Sequence, residues 1–187
     1  MIYYIHGFNS GIKKDRIELL SKLLETEVIG LEYKSEESYF YNLGYLDSQI
    51  RKLGNPDAII GTSLGAFYAQ NLSREYNCMT VLINPCLNPK ETLTKWIGTN
   101  TNYATGNVYD LKEKIINTYD VNELTFNTQT LVILATGDEL FDYTTSYNEL
   151  YGRCEIVTFE GGCHSFDNYA EIASDIDYFL KTPVLMN

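Results

Sequence analysis

A chain of 187 residues with 44% apolar residues is long enough to bury one hydrophobic core, which excludes a disordered or fibrous protein. The formal net charge of −11 disfavours nucleic acids and anionic membranes as partners, because both require clustered lysine and arginine. A strongly anionic substrate is disfavoured too, unless the pocket that binds it carries local positive charge.

The N-terminal residues MIYYIHGF lack the basic region and the long apolar core of a signal peptide, and no apolar run is long enough to span a bilayer. We therefore expect a cytoplasmic protein without a membrane span. The four cysteines are scattered and do not cluster with the two histidines, so the sequence predicts free thiols and no metal site.

Short apolar or β-branched runs alternate along the chain with helical patterns. The runs predict six strands: Ile2–Ile5, Val28–Tyr33, Asp57–Ile60, Thr80–Asn84, Leu131–Thr136 and Glu155–Phe159. Apolar residues three or four positions apart predict helices within residues 17–24, 64–72 and 169–180, and Pro183 marks the end of the last one. This alternation predicts an α/β fold with a mostly parallel sheet of about six strands and helices on both faces.

The stretch from about Pro85 to Thr130 breaks this alternation, because it is rich in turn residues and lacks an obvious strand. We interpret residues 86–129 as a small cap over the carboxyl edge of the sheet, within a single domain formed by residues 1–187. The cap supplies candidates for an apolar wall of the substrate pocket: Trp96, Ile97, Tyr103 and Tyr109. A place in the core suits Trp96 nearly as well.

The motif Gly61-Thr62-Ser63-Leu64-Gly65 follows a predicted strand and precedes a predicted helix. Glycine at both ends allows a sharp strand-to-helix turn, because a side chain at either position would clash. Such a turn raises the Ser63 hydroxyl above the sheet edge and points the Leu64 N–H at a developing oxyanion. The motif makes Ser63 the candidate nucleophile, with an ordinary glycine-rich turn as the alternative.

A serine nucleophile needs a base, and the chain has two histidines, His6 and His164. His164 lies in a glycine-rich loop between the last predicted strand and the last predicted helix, from where it can reach the serine. Asp138 directly follows the fifth predicted strand and is the candidate acid that orients the base, with Glu139 and Asp142 as alternatives. The chain order serine, aspartate, histidine is the one that accompanies this kind of turn.

The loop after the first strand reads His6-Gly7-Phe8-Asn9-Ser10. A histidine–glycine pair here lets the backbone curl over the nucleophile, so we expect the Phe8 N–H to be the second oxyanion donor. In this interpretation His6 holds the loop and is not the base. Residues near these loops are candidates for the substrate pocket: Asn9, Trp96, Phe141 and Phe166.

The strings HGFNS, GTSLGA, LINPCLNP, TGDELFDY and GGCHSF, in this order, resemble the small single-domain bacterial esterases of the YqiA type, within the α/β-hydrolase superfamily. The resemblance covers nearly the whole chain. It implies a reduced α/β-hydrolase fold, esterase activity on short acyl esters, a cytoplasmic location and no metal or organic cofactor. It also implies that the catalytic triad is Ser63, Asp138 and His164, and that the oxyanion loop contains His6, Gly7 and Phe8.

These observations predict a serine esterase that acts through an acyl-enzyme on a small-molecule ester. An acyl thioesterase or an acyltransferase would use the same machinery on another leaving group or acceptor. A hydrolase-fold protein that binds a small ligand without turnover is the alternative from a different class. The sequence leaves the natural substrate and the oligomeric state open.

Overall fold

The predicted strands form a six-stranded sheet in which every strand pair is parallel. The computed structural model describes residues 1–120 and 129–182. The strands found there, in chain order, are β1 (Ile2–Ile5), β2 (Val28–Leu31), β3 (Ala58–Thr62), β4 (Met79–Ile83), β5 (Gly98–Thr101), β6 (Val108–Leu111), β7 (Thr130–Ala135) and β8 (Glu155–Phe159). The large sheet has the order β2-β1-β3-β4-β7-β8, which confirms the predicted α/β fold.

Helices cover both faces of this sheet, as predicted. In chain order they are α1 (Lys14–Leu23), α2 (Tyr39–Leu53), α3 (Leu64–Tyr76), α4 (Pro89–Thr94), α5 (Glu113–Ile116), a 3₁₀ helix (Asn117–Tyr119), α6 (Tyr143–Leu150) and α7 (Tyr169–Lys181). Side chains alternate across β1, because successive residues of a strand point to opposite faces. Tyr3 and Ile5 join the core with α2 and α3, whereas Ile2 and Tyr4 join the core with α1 and α7.

Local sequence determines where three of these helices begin. The side chains of Ser38, Asn88 and Asp142 each accept a hydrogen bond from the backbone N–H three residues later, at the starts of α2, α4 and α6. These N–H groups have no partner within the helix, so the caps stabilise the first turn. No helix within residues 1–120 and 129–182 combines the length and apolar character that crossing a membrane requires. The four cysteines are free thiols, as predicted.

A second, small sheet lies within residues 86–129, the segment whose sequence predicts a cap. β5 and β6 pair as antiparallel strands, although the sequence shows no obvious strand in this segment. The two strands were hard to recognise because most of their residues are polar or exposed, and only Asn100 and Leu111 are buried. Residues 121–128, near the end of the predicted cap, and Pro183 lie outside the described residues.

Candidate active site

The turn between β3 and α3 holds Ser63 in a backbone conformation that few residues adopt. Its φ of 54° and ψ of −122° lie outside the regions that residues with a Cβ atom favour. A Cβ atom at Gly61 would overlap the backbone of Gly65 and Ala66, and one at Gly65 would overlap the carbonyl groups at the end of β1. The close approach of β1, β3 and α3 therefore requires both glycines.

Ser63, His164 and Asp138 form a continuous chain of hydrogen bonds. His164 Nε2 lies 2.8 Å from Ser63 Oγ, and His164 Nδ1 lies 2.8 Å from Asp138 Oδ2. The Nδ1–H donates to the carboxylate, so Nε2 is left to accept the serine hydroxyl. Asp138 Oδ1 also accepts the backbone N–H groups of Leu140 and Phe141, at 2.8 and 2.9 Å, which orients the carboxylate. The His164 and Asp138 side chains are 12% and 3% exposed.

The two alternative carboxylates have other partners. Asp142 is exposed at the start of α6, where hydrogen bonds from the Thr144 hydroxyl and neighbouring donors lower the pKa of Asp142 to about 2. Glu139 Oε2 accepts the backbone N–H of His164 at 2.8 Å. Of the three carboxylates that follow β7, Asp138 is therefore the one whose side chain contacts the imidazole ring.

The loop that carries His164 is held by Asn84, a residue that was not among the predicted site residues. Asn84 follows β4, and its Nδ2 donates to the carbonyl oxygens of Cys163 and His164 at 3.0 and 3.2 Å. Its Oδ1 accepts the N–H of Ala135, at the end of β7, at 2.8 Å. The backbone φ of Asn84 is +43°, a value that asparagine adopts more readily than most residues. The available signal was an asparagine directly after an apolar strand.

The loop after β1 passes directly beside Ser63. A Cβ atom at Gly7 would lie 3.2 Å from Ser63 Cβ, so glycine permits the close approach of the backbone. His6 is 1% exposed and stacks on Tyr33, with ring centroids 4.4 Å apart. Its Nδ1 lies 2.8 Å from Gly7 O, and its Nε2 lies 3.0 Å from Glu32 Oε2, where the hydrogen bond from His6 lowers the pKa of Glu32. His6 is thus placed to hold the loop.

The β5–β6 hairpin holds the same loop through Asn9, which is buried and has a φ of +52°. Asn9 Oδ1 accepts a hydrogen bond from the Tyr109 hydroxyl, and Asn9 Nδ2 donates to Asn100 Oδ1 at 3.4 Å. The backbone N–H of Asn9 donates to Ser35 Oγ, and its carbonyl oxygen accepts the N–H of Tyr103, both at 2.9 Å. Asn9 lines the cavity beside Ser63, but its side-chain amide forms its hydrogen bonds with the hairpin.

That cavity has a volume of about 270 Å³. Its lining includes both candidate oxyanion donors and several other large side chains: Phe8, Leu64, Leu93, Trp96, Tyr103, Leu140 and Phe141. Phe141 packs edge-on against the His164 ring at a centroid distance of 4.8 Å, and Trp96 lies 5.7 Å from Phe8. Trp96 is half-buried: it lines the cavity and also packs against the core, so each of its two predicted positions is partly correct.

Three expectations about the pocket wall are corrected by the structure. Phe166 is fully buried between Phe159 and Tyr169, at centroid distances of 5.3 and 5.7 Å, and does not line the cavity. Its burial among apolar neighbours removes more apolar surface from water than a place at an open cavity would. Ile97 is exposed and Tyr109 turns its hydroxyl to the loop after β1, so neither lines the cavity.

Two cationic residues of the cavity wall, Lys13 and Arg16, were also not predicted. Nothing in their spacing distinguishes them from the solvated charges that are common at the start of a helix. Within residues 1–120 and 129–182, no group of three or more histidine, cysteine, aspartate or glutamate side chains could hold a metal ion.

Comparison with known proteins identifies the family of this chain. A model of UPF0227, described as an uncharacterised protein family, matches residues 1–181. A UPF0227 protein of Shewanella sediminis is 26% identical over 184 residues, which cover 96% of this chain and 98% of the relative. Est1E from Butyrivibrio proteoclasticus has a similar structure, with a TM-score of 0.73 and 17% identity over 96% of this chain and 86% of that chain.

Alpha/beta hydrolase domain-containing protein 10 from mouse is also similar in structure. Its TM-score is 0.66, with 17% identity over 94% of this chain and 87% of that chain. The sheet order and the strained turn after β3 agree with this likeness. The chain therefore belongs to the UPF0227 family and has an α/β-hydrolase fold.

Proposed function

We propose that this protein is a serine hydrolase that cleaves carboxylic esters, with Ser63 as nucleophile, His164 as base and Asp138 as the acid that orients the base. One observation carries the proposal: the hydrogen-bonded chain from Ser63 Oγ to Asp138 ends at an open cavity. A hydroxyl is a weak nucleophile unless a base takes its proton, and a base lies within hydrogen-bond distance here. The α/β-hydrolase fold supports the same assignment.

The first half of the proposed reaction forms an acyl-enzyme. As Ser63 Oγ bonds to the ester carbonyl carbon, its proton passes to His164 Nε2 and the carbonyl oxygen becomes an oxyanion. The N–H groups of Phe8 and Leu64 donate to that oxyanion, while Asp138 stabilises the imidazolium. The bond to the alcohol oxygen then breaks, the alcohol takes the proton from His164, and the acyl group remains on Ser63.

The second half releases the acid. Water gives a proton to His164 Nε2 as it attacks the acyl carbon, and the oxyanion occupies the same two N–H donors. The bond to Ser63 Oγ then breaks, and the proton returns from His164 to the serine. The proposed steps use no metal and no organic cofactor.

The cavity favours a short acyl group. Its volume of about 270 Å³ lies below the range of roughly 300–1,000 Å³ that is usual for sites of drug-sized ligands. Its walls include Phe8, Leu93, Trp96 and Phe141, which would contact a short hydrocarbon chain. We therefore propose small esters with short acyl chains as the substrates.

A fluorophosphonate probe tests the nucleophile directly. We expect the probe to label Ser63, as located by peptide mapping, and the protein to hydrolyse 4-nitrophenyl butyrate. Ser63→Ala should lose the label and roughly six orders of magnitude in turnover. Ser174→Ala removes an exposed hydroxyl on α7 and should change neither result. Near-normal hydrolysis by Ser63→Ala would contradict the proposal, and absence of both labelling and hydrolysis in the unmodified protein would favour a non-catalytic binding protein.

A further inference from the structure

Cationic side chains outnumber carboxylates among the described residues that line the cavity beside Ser63, although the chain as a whole has a net charge of −11. Lys13 and Arg16 line it, and Glu139 is the one carboxylate residue among the described lining residues. The Glu139 carboxylate already accepts the backbone N–H of His164 at 2.8 Å. The residues that line the cavity therefore carry more positive than negative charge, unlike the chain as a whole.

Arg16 is a preorganised part of this wall. Its side chain is 11% exposed, and its guanidinium carbon lies 4.9 Å from the centre of the Tyr169 ring. Nη1 donates to the Tyr4 hydroxyl at 3.0 Å, and that hydroxyl lies 3.1 Å from Oγ1 of Thr62, the residue before Ser63. The positive charge is thus held close to the turn that carries the nucleophile. A planar guanidinium presents donors that match a carboxylate or a phosphate.

Asp167 neutralises Arg16 only in part. Nη2 of Arg16 donates to Asp167 Oδ1 at 2.9 Å, but the Asp167 side chain is 67% exposed and therefore strongly solvated. Water around the exposed Asp167 carboxylate screens part of its attraction for the Arg16 guanidinium. This contact leaves the guanidinium able to attract a second anion from the cavity.

Lys13 adds a charge to the cavity wall that pairs with no carboxylate within residues 1–120 and 129–182. Its neighbour Lys14, in contrast, lies 3.5 Å from Glu18 and does not line the cavity. Lys13 lies in the segment that joins the loop carrying Phe8 to α1. An anionic group of a bound molecule is the counter-ion that this position lacks.

We propose that Lys13 and Arg16 form an anion subsite, and that the ester which this protein hydrolyses carries a second, anionic group such as a carboxylate or a phosphate. This inference rests on the proposed function, because it describes the substrate of the same site. The apolar wall near Trp96 accommodates the uncharged part of the molecule. A cavity of about 270 Å³ restricts both parts to a small size.

Matched esters test the inference from both sides of the scissile bond. Monoethyl glutarate and ethyl pentanoate differ by a carboxylate at the end of the acyl chain, and carboxymethyl butyrate and ethyl butyrate differ by a carboxylate on the alcohol. The readout is the ratio of kcat/KM for the anionic ester to that for its neutral partner, followed by acid release. We expect a ratio above one in at least one pair, and a decrease toward one when added salt screens the charges.

Charge reversal at Lys13 is the decisive variant, because the side chain is exposed and its replacement removes no buried contact. Lys13→Ala removes one unit charge and should lower the ratio by about threefold. Lys13→Glu changes the charge by two units and should lower the ratio by about tenfold, because water weakens charge interactions near the protein surface. Lys14→Glu applies the same reversal one residue away and should leave the ratio unchanged. The position of the preferred carboxylate then identifies which side of the ester faces the subsite.

The outcomes separate this inference from the proposed function. Hydrolysis of the neutral esters with no preference for the anionic ones, or a preference that Lys13→Glu and Lys14→Glu reduce equally, overturns the anion subsite and leaves the esterase proposal standing. Absence of hydrolysis for all four esters, together with no labelling of Ser63 by the fluorophosphonate, overturns both.

Discussion

Two loops meet at Ser63, and different parts of the molecule hold them. The loop after β8, which carries His164, is held by Asn84 at the end of β4 and by Glu139 after β7. The loop after β1, which carries Phe8, is held by the β5–β6 hairpin through Asn9. The central sheet thus positions the proposed base, whereas the hairpin positions the proposed oxyanion donor.

This difference separates two properties of the site. An apolar cluster packs on each face of the sheet, so the hydrogen bonds of the proposed triad depend on the core of the molecule. A two-stranded hairpin is only marginally stable alone, so the hairpin depends on its bonds to Asn9 and on the bond from Asn102 Nδ2 to Ser10 O at 3.0 Å. Changes in the hairpin can therefore alter the cavity and the oxyanion loop while the triad remains in place.

The largest expected effect comes from a change near the His164 loop, which the central sheet holds. Asp138→Asn should lower kcat by about 10⁴-fold, because an amide no longer holds the imidazole in the required tautomer or stabilises its cation. Asp142→Asn is the matched control, since Asp142 caps α6 and does not contact the ring. Steady-state kinetics on one ester ranks the two variants. If Asp142→Asn is the more damaging, the assignment of the acid is wrong.

Asn84→Ala should release the His164 loop from the sheet. We expect kcat/KM to fall by up to about 100-fold, because displacement of a catalytic group by about 1 Å has effects of this size. The buried N–H of Ala135 would lose its partner, which costs about 1–3 kcal/mol of stability. Ser63 should also react more slowly with the fluorophosphonate.

Asn77→Ala is the control for Asn84→Ala, because Asn77 has a similar φ of +48° but lies at the end of α3. It should lose stability without a loss of Ser63 reactivity. Equal reactivity of the two variants at a temperature where both are folded would show that Asn84 has no role in positioning the base.

Tyr109→Phe tests the loop after β1, which the β5–β6 hairpin holds. Loss of one hydrogen bond to Asn9 is worth about 1 kcal/mol, so we expect kcat to fall about fivefold with little change in KM. Affinity for a trifluoromethyl ketone, which places an oxyanion in the site, should fall by a similar factor. Tyr119→Phe removes a comparable hydroxyl contact, to Tyr68, away from the loop and should not change that affinity. If the affinity of Tyr109→Phe is unchanged, the hairpin does not position the proposed oxyanion donor.

Trp96→Ala should change kcat on a short ester least of these variants, and should instead change substrate choice. Removal of the ring that packs on Phe8 enlarges the cavity, so the preference between short and longer acyl esters should shift by about tenfold. Ile97→Ala removes an exposed neighbour and should leave the preference unchanged. An equal decrease for every chain length, with a large decrease in Tm, would assign Trp96 to the core.

Local patterns were sufficient for the sheet and for the candidate triad positions. The strands were recognisable because burial on both faces produces almost continuous apolar runs. The candidates at Ser63, Asp138 and His164 followed from parallel topology, because residues directly after parallel strands meet at one edge of the sheet. The hairpin was missed because its polar strands are stabilised by contacts with a loop about 90 residues earlier in the chain.

By itself, the sequence determined the α/β architecture and the sharp turn at Ser63, because apolar periodicity and the missing Cβ atoms of Gly61 and Gly65 act over a few neighbouring residues. Only the tertiary structure decided that Asp138 contacts His164, that Phe166 lies in the core, and that Lys13 and Arg16 bring positive charge to the cavity. Each of these depends on how segments far apart in the chain pack together, and no local pattern specifies the distances between them.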